Sequence, residues 1–259
     1  FFQEYYHNES WEIDQRTNIN NQDFSQIETW SKLDFKNFLS KNYTELEAEK
    51  SALKQIKMAK YKEIFYNVEN LDYFPTLFDW NAAQQIDFLR DDNLFTPNEL
   101  KANHPIINSV FDELISGNSG NSTLYFQHQK LNYNCEFTNC KDKLIQLQNL
   151  YNSSTEGDYK VIIAEDIVDE LSKDNKHKEA LTLIESVKNL YPKSNFVNNI
   201  KNKENSIINP SLVIHYEEET QSNKPIHIVA EHKNLGKFSL NIYETEDLQG
   251  FMNHIYNSY

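Results

Sequence analysis

Glycine is scarce in this chain, at 5 of 259 residues. A phosphate-cradling loop needs several close together for its tight turns, and none can be assembled here, which excludes the common nucleotide-binding loops. Arginine is limited to Arg16 and Arg90, and the formal net charge is −14. Nucleic-acid binding rests on neutralising phosphates with Lys and Arg, so no nucleic-acid partner is expected, and anionic membrane surfaces are disfavoured for the same reason. Lys54, Lys57, Lys60 and Lys62 come nearest to a basic cluster, but they lie between Glu49 and Glu63 and read as a solvated helix face. No apolar run approaches the ~20 residues of a membrane-spanning helix. There is no initiator Met and no basic leader: the chain opens Phe1-Phe2-Gln3-Glu4-Tyr5-Tyr6 and closes at His254–Tyr259 without tail composition. The expectation is that it was cut from a longer ordered protein.

Two cysteines are present, Cys135 and Cys140. Their spacing suits either a small disulfide loop or two unpaired structural thiols; it does not match Cys-x-x-Cys, so a redox or zinc site is not expected. His215, His227 and His232 lack the spacing of a metal site: His227 and His232 point to opposite faces of a straight strand. Glu165, Asp166, Asp169 and Glu170 form an acidic helix face, read as solvated because nothing apolar is there to shift a carboxyl group. Asp91-Asp92-Asn93 begins like a calcium loop but lacks the loop glycine and terminal Glu. The serines sit mostly in caps and loops, and no Gly-x-Ser-x-Gly occurs. No catalytic, cofactor-binding or metal residue is assigned, and the aromatic stripes are read as core.

What is present is mostly helical pattern. From Trp30 to Asn67, Leu33, Phe38, Leu39, Leu46, Leu53, Ile56 and Ile64 recur at helical spacing, as one long helix or two abutting ones. Three start signals stand out: Ser31 with Asp34, Thr76 with Asp79, and Thr96-Pro97-Asn98-Glu99, with proline at the first helical position. After the second, Leu77, Trp80, Ala83, Ile86 and Leu89 make an amphipathic face. Gly117-Asn118-Ser119-Gly120-Asn121-Ser122 reads as a flexible loop, the clearest break. Helical pattern resumes at Lys141, with helices expected over 143–151, 158–171, 177–190 and 194–206. Ala180 is small where two helices must approach, and Tyr191-Pro192-Lys193-Ser194 ends one helix and caps the next. The stretch 158–191 resembles a tetratricopeptide-type hairpin, which cannot bury its own face and must pack on neighbours.

The period changes at Pro210. Leu212, Ile214 and Tyr216 alternate with Ser211, Val213 and His215; Ile226, Ile228 and Ala230 with His227, Val229 and Glu231; Phe238, Leu240 and Ile242 with Ser239 and Asn241. These predict three antiparallel strands, turning through 220–224 and at Asn234-Leu235-Gly236. One three-stranded sheet leaves an apolar face uncovered, so a partner sheet is expected further along the chain or in another chain.

Taken in order, four stretches resemble the N-terminal region of the alpha-2-macroglobulin-like proteins of the Bacteroidetes. They are Tyr5-Tyr6-His7-Asn8 through Arg16-Thr17 to Ile27-Glu28-Thr29-Trp30; Phe74-Pro75-Thr76-Leu77-Phe78-Asp79-Trp80 with Ile86-Asp87-Phe88-Leu89; Lys178-Glu179-Ala180-Leu181 ending in Tyr191-Pro192-Lys193-Ser194; and Asn209-Pro210-Ser211-Leu212 with His232-Lys233-Asn234 and Asn241-Ile242-Tyr243. The chain departs from the family's tendencies at Asn81 and Gln84-Gln85. The resemblance implies a much longer extracytoplasmic parent, in the periplasm or at the outer membrane, with any lipid anchor outside this segment. It implies helices followed by a train of macroglobulin β-sandwiches, and a role in protease trapping or envelope defence. The family's thioester motif, Cys-x-x-Gln, is absent, so no functional residue carries over.

The expected architecture is α+β and multi-domain: a helical region over 1–131, tetratricopeptide-like hairpins over 132–208, and the incomplete first macroglobulin-like sandwich over 209–259. The expected function is that of a non-enzymatic scaffold without cofactors. Its expected partners are proteins: the rest of its own chain, proteases or outer-membrane components. The competing expectation is a stand-alone helical-repeat adaptor in an outer-membrane complex.

Overall fold

The computed structural model describes residues 2–17, 25–61, 63, 70–154, 157–217, 224 and 227–240. These are mainly helical with a small antiparallel sheet, an α+β composition. The chain divides into two compact units, 1–201 and 202–259.

The first unit opens with α1 (Phe2–Ile13), which buries Tyr6 and Ile13. α2 (Lys32–Ala48) starts at the expected Ser31–Asp34 capping box. Ser31 Oγ donates to Asp34 at 2.7 Å and the Ser31 N–H donates to the same carboxylate at 2.9 Å, which satisfies donors the helix leaves open. The helix expected to run on to Asn67 stops earlier, after a single further turn, α3 (Lys50–Leu53). Non-local bonds take over there: Met58 N–H donates to the Pro75 carbonyl and Leu77 N–H to that of Ile56, tying this stretch to the start of α4. Among the four lysines read as a helix face, Lys54 pairs with Glu113 at 2.8 Å, Lys57 is in a bridge with Thr76, and Lys60 lies in a 3-10 turn. Lys62 and Ile64 lie outside the described residues.

α4 (Leu77–Leu89) and α5 (Pro97–Gly117) begin at the other two capping boxes as expected. α4 is buried on more than the one stripe expected of it. Phe78, Ala82 and Ile86 enter a core shared with Phe74, Phe111 and Phe126, while Phe88 enters a second core around Tyr6, Trp30 and Phe35. The segment 117–122 is not a flexible loop. Only Asn118 and Ser119 separate α5 from α6 (Gly120–Thr138). Asn118 Nδ2 donates to the Leu114 carbonyl at 2.9 Å and to Asp79 at 2.8 Å, closing the end of α5 onto the cap of α4. Gly120 sits at φ 59°, where a side chain would be strained.

α7 (Lys143–Ser153), α8 (Lys160–Lys173) and α9 (His177–Leu190) follow close to their expected bounds. Each helix from α4 to α9 packs on the next in sequence. The 131/132 boundary falls inside α6. Ala180 is fully buried on α9, whose neighbour is α8. Ala180→Leu should therefore force the two helices apart and cost about 1–3 kcal/mol, read as a lowered urea midpoint. Ser194 does not cap the last helix: its Oγ accepts from the Phe196 N–H at 3.2 Å in a local turn, and α10 (Val197–Ile208) starts after it.

The second unit holds β1 (Ser211–Tyr216) and β2 (Ile228–Lys233), antiparallel, with Leu212 opposite His232, Ile214 opposite Ala230 and Tyr216 opposite Ile228. Asn234 makes the following turn at φ 55°, and its amide donates to the Ile207 carbonyl at 2.7 Å. The third expected strand is not formed over 237–240, which have no ladder partner among the described residues. Asn241 and Ile242 lie outside the described residues, as does Ile226.

Candidate functional site

Large apolar side chains are exposed on and beside the sheet: Leu212, Val213, Ile214, Tyr216, Val229, Phe238 and Leu240. Facing pairs in an antiparallel ladder share a face. One face therefore carries Leu212, Ile214 and Tyr216 with Ile228, Ala230 and His232. On it, Leu212 is 40% and Tyr216 64% exposed. Phe238 packs its ring 5.5 Å from that of His232 and extends the same apolar patch. The other face alternates Ser211, Val213 and His215 with Val229, Glu231 and Lys233, and His215 Nε2 lies 3.8 Å from Glu231. The chemistry is asymmetric: one apolar face and one mixed polar face. That is the pattern of a sheet whose apolar side takes a covering layer.

The histidines named from the sequence do not converge. Among the described residues, no group of three or more His, Cys, Asp or Glu is placed to hold a metal ion. Asp91 of the calcium-like triplet instead accepts from the Asn93 N–H at 2.9 Å and lies 3.4 Å from His7.

Asp166 corrects the solvated reading of the acidic face. His128, 2% exposed on α6, places Nε2 at 2.9 Å from Asp166 and Nδ1 at 3.0 Å from the Tyr159 hydroxyl. A carboxylate can only accept, so Nε2 carries the hydrogen and donates. Asn132 Nδ2 adds a bond to Asp166 at 3.1 Å. Burial pushes the Asp166 carboxyl up, but His128, Asn132 and Lys143 outweigh it and hold it below the usual carboxylate range. Burial pushes the Tyr159 hydroxyl up. Glu170, another of the four acids, is only 20% exposed and bonds Lys173 at 2.7 Å. A second cluster repeats the pattern: His104 Nδ1 lies 3.1 Å from the Tyr133 hydroxyl, and Asn108 stands in the place of Asn132. His104-x-x-x-Asn108 and His128-x-x-x-Asn132 were the overlooked signal, a polar pair at one-turn spacing. With Tyr159 only 1% exposed, the buried cluster joins α6 to α8 and is not open to a substrate.

Cys135 and Cys140 are bridged, which resolves the two alternatives left open by their spacing. The bridge closes the last turn of α6, where Asn139 is left-handed and Cys140 N–H donates to the Cys135 carbonyl at 3.1 Å. Closing so short a loop should be worth about 2 kcal/mol. The double substitution Cys135→Ser with Cys140→Ser should lower unfolding stability by that amount, and the native chain should bind no thiol reagent when denatured without reductant.

No helix among the described residues is long and apolar enough to cross a membrane. Comparison with protein-family models, with curated proteins and with solved structures finds no match.

Proposed function

We propose that this chain is a non-enzymatic scaffold segment near the N-terminus of a large alpha-2-macroglobulin-like protein of the cell envelope, serving protease trapping or envelope defence. The observation that carries the reading is the apolar face of β1 and β2, on which Leu212, Ile214 and Tyr216 are 40%, 36% and 64% exposed. Burying one large apolar side chain stabilises by about 1.5–3 kcal/mol, so Leu212, Ile214 and Tyr216 together represent a large unused driving force for adding a second layer. In this reading that layer comes from further strands of a macroglobulin sandwich, and α7 to α10 form tetratricopeptide-like hairpins before it. The Cys135–Cys140 bridge supports a compartment outside the cytoplasm, where disulfides form and persist. Its partners are then the remainder of its own chain, proteases and outer-membrane components, with any lipid anchor outside this segment.

The test is the denatured mass of the native polypeptide recovered from its own cell envelope. A mass several times 30.6 kDa supports the proposal. A mass near 30.6 kDa overturns it and leaves the helical-repeat adaptor, its sheet completed by a separate partner.

A further inference from the structure

The Cys135–Cys140 bridge closes the last turn of α6 over 136–139, and each of those residues is exposed. The two cysteines differ in access: Cys135 is 6% exposed, whereas Cys140 is half-buried. One side chain inside the loop reaches across to α5. Phe137 lies flat on the His104 ring, with centroids 3.9 Å apart and planes 7° from parallel. His104 Nδ1 lies 3.1 Å from the Tyr133 hydroxyl, and one turn along, Asn108 and Asn134 exchange amide hydrogen bonds at 3.1 and 2.9 Å.

Apart from the bridge, the turn that carries Phe137 is held by local bonds. The N–H groups of Asn139 and Cys140 both donate to the Cys135 carbonyl, and Thr138 Oγ1 donates to the Asn134 carbonyl at 2.8 Å. Exposed helix ends of this kind fray at little cost in free energy. The buried side chains of α6 lie earlier, from Ser122 to Cys135, so opening the turn leaves the packing of the helix in place. The covalent link is therefore what fixes Phe137 over His104.

We infer that the bridge is a redox switch, opened in the folded chain by a dithiol reductant, that sets whether Phe137 covers His104. A thiolate of the dithiol attacks Sγ of Cys140, the more accessible cysteine. A new S–S bond forms to Cys140, the bond to Cys135 breaks, and its electron pair leaves on Cys135 Sγ, which takes up a proton. The second thiol of the reductant then attacks its own sulfur in the mixed disulfide and expels Cys140, which is protonated in turn. Two electrons and two protons pass to the chain, and the dithiol becomes a disulfide. Oxidised, the turn is closed and His104 is stacked. Reduced, the turn frays and that face of His104 is uncovered.

Millimolar dithiothreitol, added to the full folded chain, tests this. Trapping of new thiols with iodoacetamide, followed by mass spectrometry, reads the opening of the bridge. Far-ultraviolet circular dichroism reads the helices, and the proton spectrum reads the His104 ring, assigned by its loss in His104→Gln. Reduction should run at least roughly tenfold faster than global unfolding and leave the helical signal nearly unchanged. It should also move the His104 resonances towards those of an unstacked ring. Phe137→Ala should give the unstacked position in both redox states, so that reduction no longer shifts it. The paired variant Cys135→Ser with Cys140→Ser should match the reduced chain, and if it fails to fold, reduction of the unaltered chain still decides. Opening of the bridge only at the rate of global unfolding, or His104 resonances unmoved by reduction, overturns the inference.

Discussion

His128→Leu should destabilise the helical unit by about 3–5 kcal/mol, the cost of removing one member of a buried pair while its partners stay in place. Asp166 would lose its closest donor and Tyr159 the acceptor of its hydroxyl, the bonds that tie α6 to the start and first half of α8. The loss should depend on pH. In the native chain the Asp166 carboxyl is held below its ordinary value, so its contribution is present above the unfolded value near pH ~4 and disappears as pH falls through the lower folded value. Without His128, burial is opposed only by Asn132 and Lys143, and the acid limb of the stability curve should move to higher pH. Urea midpoints measured from about pH 2 to about pH 7 read both effects. An unchanged midpoint with an unchanged acid limb would mean that the cluster bears no strain of packing or charge.

The second large effect lies at the other core. Trp30 is 1% exposed, stacks on Phe2 at 5.6 Å and meets Phe35 and Phe38 at 4.9 and 4.8 Å. Trp30→Ala should cost about 3–5 kcal/mol, because a void of that size cannot close around rings held by α1 and α2. Trp11, 68% exposed on α1, is the internal control, and Trp11→Ala should fall within about 0.5 kcal/mol of the unaltered chain. Thermal melts of both variants, with near-ultraviolet circular dichroism as a probe of aromatic packing, separate the two cases. Equal losses would show that the burial of Trp30 is not what holds the α1–α2 core.

What was legible in the sequence follows from how local each signal is. The capping boxes at Ser31, Thr76 and Thr96 were readable because donor and acceptor lie within one turn. The period-2 pattern located β1 and β2, since alternation across a ladder is a property of each strand alone. The missed helix, α6, has no single apolar stripe. It buries Ser122, Leu124, Phe126, His128, Tyr133 and Cys135 because it packs against α5, α7 and the 3-10 turn at 71–73. α1 carries its own helical signal, with Phe2, Tyr6 and Ile13 at helical spacing. The extension of a helix to Asn67 failed because the bonds from Met58 and Leu77 are to residues far along the chain. The bond from His128 to Asp166 crosses the whole of α7, which no spacing rule spans.

The account turns on whether the sheet of β1 and β2 is finished within this chain, and amide hydrogen exchange reads that directly. The ladder amides of 211–216 and 228–233 should exchange far faster than those of α8 in the isolated chain, and should become protected in the native polypeptide. Protection in the isolated chain equal to that of α8 would contradict the account, because the sheet would then be complete without a further layer.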